Sequence, residues 1–110
     1  MFPSISRRLL VEARAPETTV AVDCKQLGLF TSTHYFRWSA GVLAGEVTIE
    51  TADDVAYTGE WVPIKVVTFA GLSPRQDMVT IDGAYAALRH RVTGAPSGGS
   101  VTTKILGTGQ

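Results

Sequence analysis

Few residues of this sequence combine the types and the spacing that catalysis requires. Nucleophilic catalysis needs a serine or cysteine held against a base, usually a histidine. His34 and His90 are the only two histidines, and each lies inside an alternating strand pattern, which favours a structural role. Ser32 and Ser39 flank His34 on one predicted strand, from which their side chains are not expected to converge on it, and no serine lies in a Gly-x-Ser-x-Gly turn. We therefore predict no catalytic residue and no enzyme.

Carboxylates occur close together at Glu50, Asp53, Asp54 and Glu60, and oxygen ligands of this type suit hard cations. Asp53 and Asp54 stand between two strand patterns, however, where aspartate is favoured by turn chemistry alone. The glycine-rich segment 94–99 has no following Lys-Thr pair and no helix, so it indicates a hairpin loop and not a phosphate site. We expect no metal and no cofactor.

The single cysteine, Cys24, cannot close an internal disulfide or build a zinc site by itself. It follows Val20 and Val22 in an apolar alternation. This pattern predicts a buried thiol that packs beside those two valines.

Aromatic and arginine side chains are the candidates for an interface. Residues 35–38 read Tyr-Phe-Arg-Trp, so a strand there must present aromatic side chains on both faces. Trp61 alternates with Val62 and Ile64, which places it on the opposite face of its strand. Exposed aromatics indicate a protein interface or a sugar-stacking platform, unless both faces of the sheet are covered. The candidate interface residues are Tyr35, Arg37, Trp38, Trp61, Arg89 and Arg91.

The elements that must position these residues are strands. Turn signals recur at short, regular intervals between segments rich in Val, Thr, Ile and aromatics. Three of these segments alternate, and in each we expect one face to point inward: Val47 and Ile49; Val62, Ile64 and Val66; Val101, Thr103 and Ile105. This spacing predicts an all-β fold, an antiparallel β-sandwich of jelly-roll or Ig-like type with about seven or eight short strands. Pro63 places its strand at an edge or at a bulge. The segment 84–92 suits either a helix or a strand, and we favour a strand with Ala86, Leu88, His90 and Val92 facing inward.

The chain has 110 residues, ten basic and ten acidic, which indicates one domain without the positive charge that nucleic-acid binding requires. We expect an N-terminal arm or edge strand over residues 1–16, a sandwich over 17–106 and a flexible tail over 107–110. The sequence shows no secretory signal pattern and no membrane-spanning run. We therefore expect a soluble protein made in the cytoplasm, with no nucleic acid and no membrane as a partner.

Five segments resemble small β-sandwich virion proteins of tailed bacteriophages, of the capsid decoration (cement) or head–tail accessory type. They are AGEVTIE at 44–50, YTGEW at 57–61, IDGAY at 81–85, LRHRVT at 88–93 and GGSVTTKI at 98–105. The resemblance covers residues 44–106. Members show a Gly-x-Val-x-(Ile or Leu)-Glu strand, a short acidic loop, an aromatic residue near a tryptophan, an Arg-x-Arg-Val-Thr strand and a Gly-Gly hairpin into a last strand rich in Val and Thr.

The resemblance implies a non-enzymatic structural protein of the virion, made in the host cytoplasm. It further implies a homo-oligomer whose partners are the major capsid protein or other virion subunits. A capsid decoration protein that stabilises the shell is the first expectation. The alternatives are a head–tail connector, tail or fibre-associated accessory protein, and a carbohydrate-binding module that stacks sugars on Trp38, Trp61 or Tyr57.

Overall fold

The computed structural model describes residues 4–70 and 75–109, and it is almost entirely β-structure. One helical turn, α1, spans Cys24–Leu27. The strands are β1 (Ser4–Arg8), β2 (Val22–Asp23), β3 (Leu29–Trp38), β4 (Ala44–Ala52), β5 (Val62–Phe69), β6 (Gln76–Asp82), β7 (Ala87–Ser97) and β8 (Val101–Gly109).

The strands form two four-stranded antiparallel sheets, in the orders β1-β8-β3-β6 and β2-β7-β4-β5. We call them sheet A and sheet B. The pairs β1–β8, β2–β7, β3–β6 and β4–β5 are nested, as in one long hairpin, and further pairing of β3 with β8 and of β4 with β7 rolls that hairpin into two layers. This is the jelly-roll arrangement. The predicted sandwich is confirmed, and of its two proposed types the pairing matches the jelly roll.

Alternating side chains of both sheets fill the space between them, as period-two strands require. Val47 and Ile49 of β4 point inward as predicted, and Val101 and Ile105 of β8 do the same; all four are fully buried. Phe36 of β3 lies among them with no exposed surface.

The strand predicted over 84–92 is confirmed in β7, although it begins at Ala87, and Leu88, His90 and Val92 face the core. β5 is an edge strand, and its register with β4 shifts close to Pro63, in agreement with the proline argument.

The predicted inward face of β5 is wrong. Val62 and Val66 are 61% and 48% exposed, whereas Val67 and Phe69 are buried. Apolar residues occupy both faces of this strand, so alternation alone could not choose, and the larger Phe69 takes the core position.

The thiol of Cys24 is buried, as predicted, but Val20 does not pack beside it, because Val20 is 85% exposed. The alternation ends where α1 begins. The Asp23 carboxylate caps this turn by accepting a hydrogen bond from the Gln26 backbone N–H at 2.9 Å, and Gly28 closes it with φ +67°. Burial, with a smaller contribution from the charge of Asp23, raises the pKa of Cys24 to about 11.

Of the two forms expected for residues 1–16, the structure shows the edge strand, since β1 pairs with β8. The chain after β1 also belongs to the sandwich. Leu10 is completely buried, and Ala13 forms a bridge to Val101. A boundary at residue 16 therefore does not separate an arm from the core.

The tail expected over 107–110 is wrong for 107–109, which are the last residues of β8. Gly107 pairs with Ile5 on one side and Ser32 on the other. A Cβ atom at Gly107 would lie 2.9 Å from a Leu29 methyl carbon, so the glycine permits close packing here. The turn predicted at 71–74, like residues 1–3 and 110, lies outside the described residues.

Candidate functional site

A chain of polar side chains crosses the core between the two sheets. The Ser32 hydroxyl lies 2.8 Å from His34 Nε2. His34 Nδ1 lies 2.7 Å from His90 Nε2 in the opposite sheet, and His90 Nδ1 lies 2.8 Å from the Thr103 hydroxyl of β8. The expectation that Ser32 and His34 do not converge is therefore wrong, because residues two apart on a strand share a face. Ser39 instead accepts a hydrogen bond from the Ser100 backbone N–H at 3.0 Å.

This Ser32–Thr103 chain is sealed from solvent. Both histidines have no exposed surface, and Ser32 is 3% exposed. Burial lowers the pKa of His34 to about 4 and, with the neighbouring His34, lowers the pKa of His90 well below its usual value. The cavity beside Ser32 measures about 10 Å³, roughly room for one water molecule. These four side chains therefore satisfy one another's hydrogen-bonding groups inside the core, and no substrate can reach them.

A buried carboxylate lies beneath two arginines on the outer face of sheet B. Glu50 of β4 is 1% exposed, and the Nε atoms of Arg89 and Arg91 on β7 lie 2.9 and 2.8 Å from its two oxygens. The Arg89 guanidinium also lies over the Trp61 ring, 4.1 Å from its centroid. We call these four residues the Glu50 cluster.

Trp61 supports the Glu50 cluster from one side. Trp61 is 5% exposed, and its indole N–H donates to the Tyr57 carbonyl at 3.0 Å. A buried carboxylate loses its hydration, so it depends on both guanidiniums, and removing one partner of such a pair costs about 3–5 kcal/mol. The arginines remain partly in solvent, with side chains 21% and 48% exposed.

A basic groove lies on the outer face of sheet A, on the opposite side of the molecule. Lys104 of β8 stands between Arg8 of β1 and Tyr35 of β3, and Arg37 follows two residues along β3. These four residues, which define the basic groove, line a concavity of about 390 Å³ with no carboxylate among its described lining residues. Lysine and arginine without local acidic partners make this face an anion-attracting surface.

The six candidate interface residues divide into three groups. Arg89 and Arg91 meet Trp61 in the Glu50 cluster, whereas Tyr35 and Arg37 lie in the basic groove. Trp38 belongs to neither, because it faces the core, stacks on Phe69 at 5.0 Å and donates its indole N–H to the Ala70 carbonyl at 2.7 Å.

Neither tryptophan is exposed, contrary to expectation, because the largest apolar side chains are the ones whose burial contributes most. The sequence reasoning considered Glu50 only as a cation ligand, and it missed Arg8 and Lys104. The two arginines at 89 and 91, two positions apart and therefore on one face of a strand, were a signal that a carboxylate should stand opposite them.

The acidic segment after β4 forms a turn, in which the Asp54 carboxylate accepts a hydrogen bond from the Ala56 backbone N–H at 2.8 Å. Over residues 4–70 and 75–109, no group of three or more His, Cys, Asp or Glu side chains is placed to hold a metal ion. In the same part of the chain, no helix has the length and apolarity to cross a membrane.

No protein-family model and no curated protein matches the sequence, but solved structures share its fold. The SPBc2 prophage-derived protein YomS superposes with a TM-score of 0.70 at 13% identity, over 98% of this chain and 95% of YomS. The PBSX exported protein XepA gives 0.56 at 16% identity, over 96% of this chain and 37% of XepA. A chain in the acidic stable capsid structure of Helicobacter pylori bacteriophage KHP30 gives 0.50 at 9% identity, over 98% of this chain and 93% of that one. At these identities the likeness establishes the fold.

Proposed function

We propose that this chain is a non-enzymatic structural protein of a phage virion, and specifically a capsid decoration protein that binds the major capsid protein as a homo-oligomer. Its fold is shared with a prophage-derived protein and with a chain of a phage capsid structure. The residues with the best spacing for catalysis, Ser32 and His34, are sealed in the core. Fold alone does not determine function, so the surface must carry the proposal.

The observation that carries the proposal is the pair of candidate contact surfaces on opposite sides of one small domain. The Glu50 cluster and the basic groove both combine arginine with an aromatic residue, and these residue types are enriched at protein interfaces. On the same outer face, Val66 of the edge strand β5 pairs with Thr48 and exposes an apolar side chain. A domain that offers contacts on both sides can join two neighbouring subunits of a shell.

The experiment is to add the protein to undecorated capsids of the phage that encodes it. We expect binding at a fixed ratio to the major capsid subunit and a higher temperature of capsid rupture. The double variant R37E/K104E reverses two charges of the basic groove and should weaken binding at least about tenfold. K25E is the matched control, because Lys25 is exposed on α1 and belongs to neither surface.

Failure of the full-length protein to bind capsids under any condition would refute the decoration role. Binding to connectors or tails in place of shells would support the head–tail accessory alternative. The carbohydrate alternative has lost most of its basis, because Trp38 and Trp61 are buried and only Tyr57, 46% exposed, remains as a stacking platform.

A further inference from the structure

The guanidiniums of the Glu50 cluster carry more hydrogen-bond donors than Glu50 can use. Each guanidinium has five N–H donors, whereas a carboxylate has about four acceptor sites. Ten donors against about four acceptor sites leave roughly six N–H groups without an acceptor on Glu50. The hydrogen bonds that Arg89 and Arg91 make to other described side chains both go to Glu50.

The unused donors face solvent. No buried side-chain nitrogen or oxygen among the described residues lacks a partner, so the free N–H groups of partly buried Arg89 lie where water reaches them. Arg91 is about half exposed. Both arginines extend from the same side of β7 and are anchored through Nε to one carboxylate, so their remaining N–H groups lie close together at the surface.

The geometry of these donors is fixed before any ligand arrives. Glu50 holds both Nε atoms, and the Trp61 ring supports the Arg89 guanidinium from one side. Long side chains normally lose rotamer freedom when they bind a ligand. Arg89 and Arg91 lose that freedom on folding, so ligand binding costs less conformational entropy. Pre-ordered paired guanidiniums are suited to planar, bidentate recognition of an oxyanion.

The net charge of the Glu50 cluster determines which class of oxyanion it binds best. One carboxylate and two guanidiniums sum to a single positive charge, which a monoanion neutralises. A dianionic phosphate would leave excess negative charge above a buried carboxylate, and Glu46 lies further along the same face, where it accepts a hydrogen bond from Thr93. The arrangement therefore favours a carboxylate over phosphate.

We propose that Arg89 and Arg91 form a receptor for one carboxylate group, presented by an acidic side chain of a partner protein. The exposed Val66 on β5, which lies one strand beyond β4, would contact an apolar group that flanks this carboxylate. That the partner is a virion subunit rests on the proposed function. The receptor itself is a property of the isolated chain and does not depend on it.

The test uses acetate as the probe. The arginine Nε–Hε resonances of the full-length protein are followed by ¹⁵N NMR at pH 8, where phosphate is mainly the dianion, while sodium acetate replaces sodium chloride at constant ionic strength. We expect saturable shifts at Arg89 and Arg91, and weaker binding of phosphate in a parallel titration. These results are independent of capsid binding, so the two proposals can fail separately.

Arg91→Lys retains the charge and can still pair with Glu50, but it lacks the planar donor fork. We expect acetate affinity to fall about tenfold in this variant, with the thermal melting curve little changed. The control Arg37→Lys makes the same change on the other sheet and should leave the titration unaltered. The proposal is overturned if no saturable shift occurs, if R91K binds acetate as well as the unchanged protein does, or if phosphate binds more tightly than acetate.

Discussion

At the scale of single residues, the buried polar groups determine how this sandwich responds to its surroundings. His34 and His90 lie in the core and bond to each other, to Ser32 and to Thr103. With both rings neutral, each of these hydrogen bonds has one donor and one acceptor, and no carboxylate takes part in them. A proton added to either ring would place an uncompensated charge in the core, which is strongly unfavourable.

We expect the protein to lose stability as the pH falls below 6.5. Burial lowers the pKa of His34 to about 4 in the folded state, so between those values the unfolded chain binds more protons, and the free energy of unfolding decreases with decreasing pH. The loss is roughly 2 kcal/mol for one such histidine between pH 7 and pH 5, and His90 adds to it. Urea denaturation at pH 7, 6 and 5 measures the slope.

His34→Gln provides the control for this pH dependence. Glutamine retains a donor and an acceptor but does not titrate. The variant should be less stable at pH 7, yet it should lose less free energy on acidification. An unchanged slope would show that the acid sensitivity originates elsewhere.

At the scale of elements, the strands were largely predictable from the sequence, but the side chains that cover their outer faces were not. Alternation correctly identified the inward faces of β4 and β8, because one apolar face per strand is a local property of the sequence. The burial of Glu50 was not predictable in this way. It faces outward as the pattern indicated, but two arginines of β7 cover it, and one of them stacks on Trp61. Such cover depends on side chains that are distant in sequence.

The segment after β1 gives an element-scale prediction. Leu10 is fully buried, whereas its neighbour Val11 is 58% exposed. Leu10→Ala should therefore lower the free energy of unfolding by about 2–4 kcal/mol, and Val11→Ala should change it by less than about 0.5 kcal/mol. Thermal or urea denaturation of the two variants measures this contrast. Equal effects would mean that this segment does not pack as a part of the core.

At the scale of the whole molecule, the sequence indicated a sandwich but could not choose between jelly-roll and Ig-like pairing. That choice depends on which distant strands meet. β1 pairs with β8, and β2 pairs with β7, yet nothing in the local pattern of β1 specifies its partner. This pairing also puts the Glu50 cluster and the basic groove on opposite sides of the molecule, so their placement could not be predicted from motifs either.

The nested pairing has a kinetic consequence. Non-local strand pairing requires long loops to close before contacts form, so all-β domains of this kind fold in about milliseconds to seconds. We expect refolding in that range when the fluorescence of the two buried tryptophans is followed after dilution from urea. Refolding in microseconds would contradict a transition state that depends on distant strands.

The position of β8 also matters while the protein is being made on the ribosome. This strand is the last to be synthesised, yet it lies inside sheet A between β1 and β3. Until it emerges, Phe36 and Leu10 lack the cover of Val101 and Ile105, and His90 lacks the Thr103 hydroxyl. The nascent chain therefore carries an open gap between two strands, with unpaired backbone groups on both sides. The emergence of β8 from the ribosome closes the fold, so the chain that still lacks β8 is the state most exposed to aggregation.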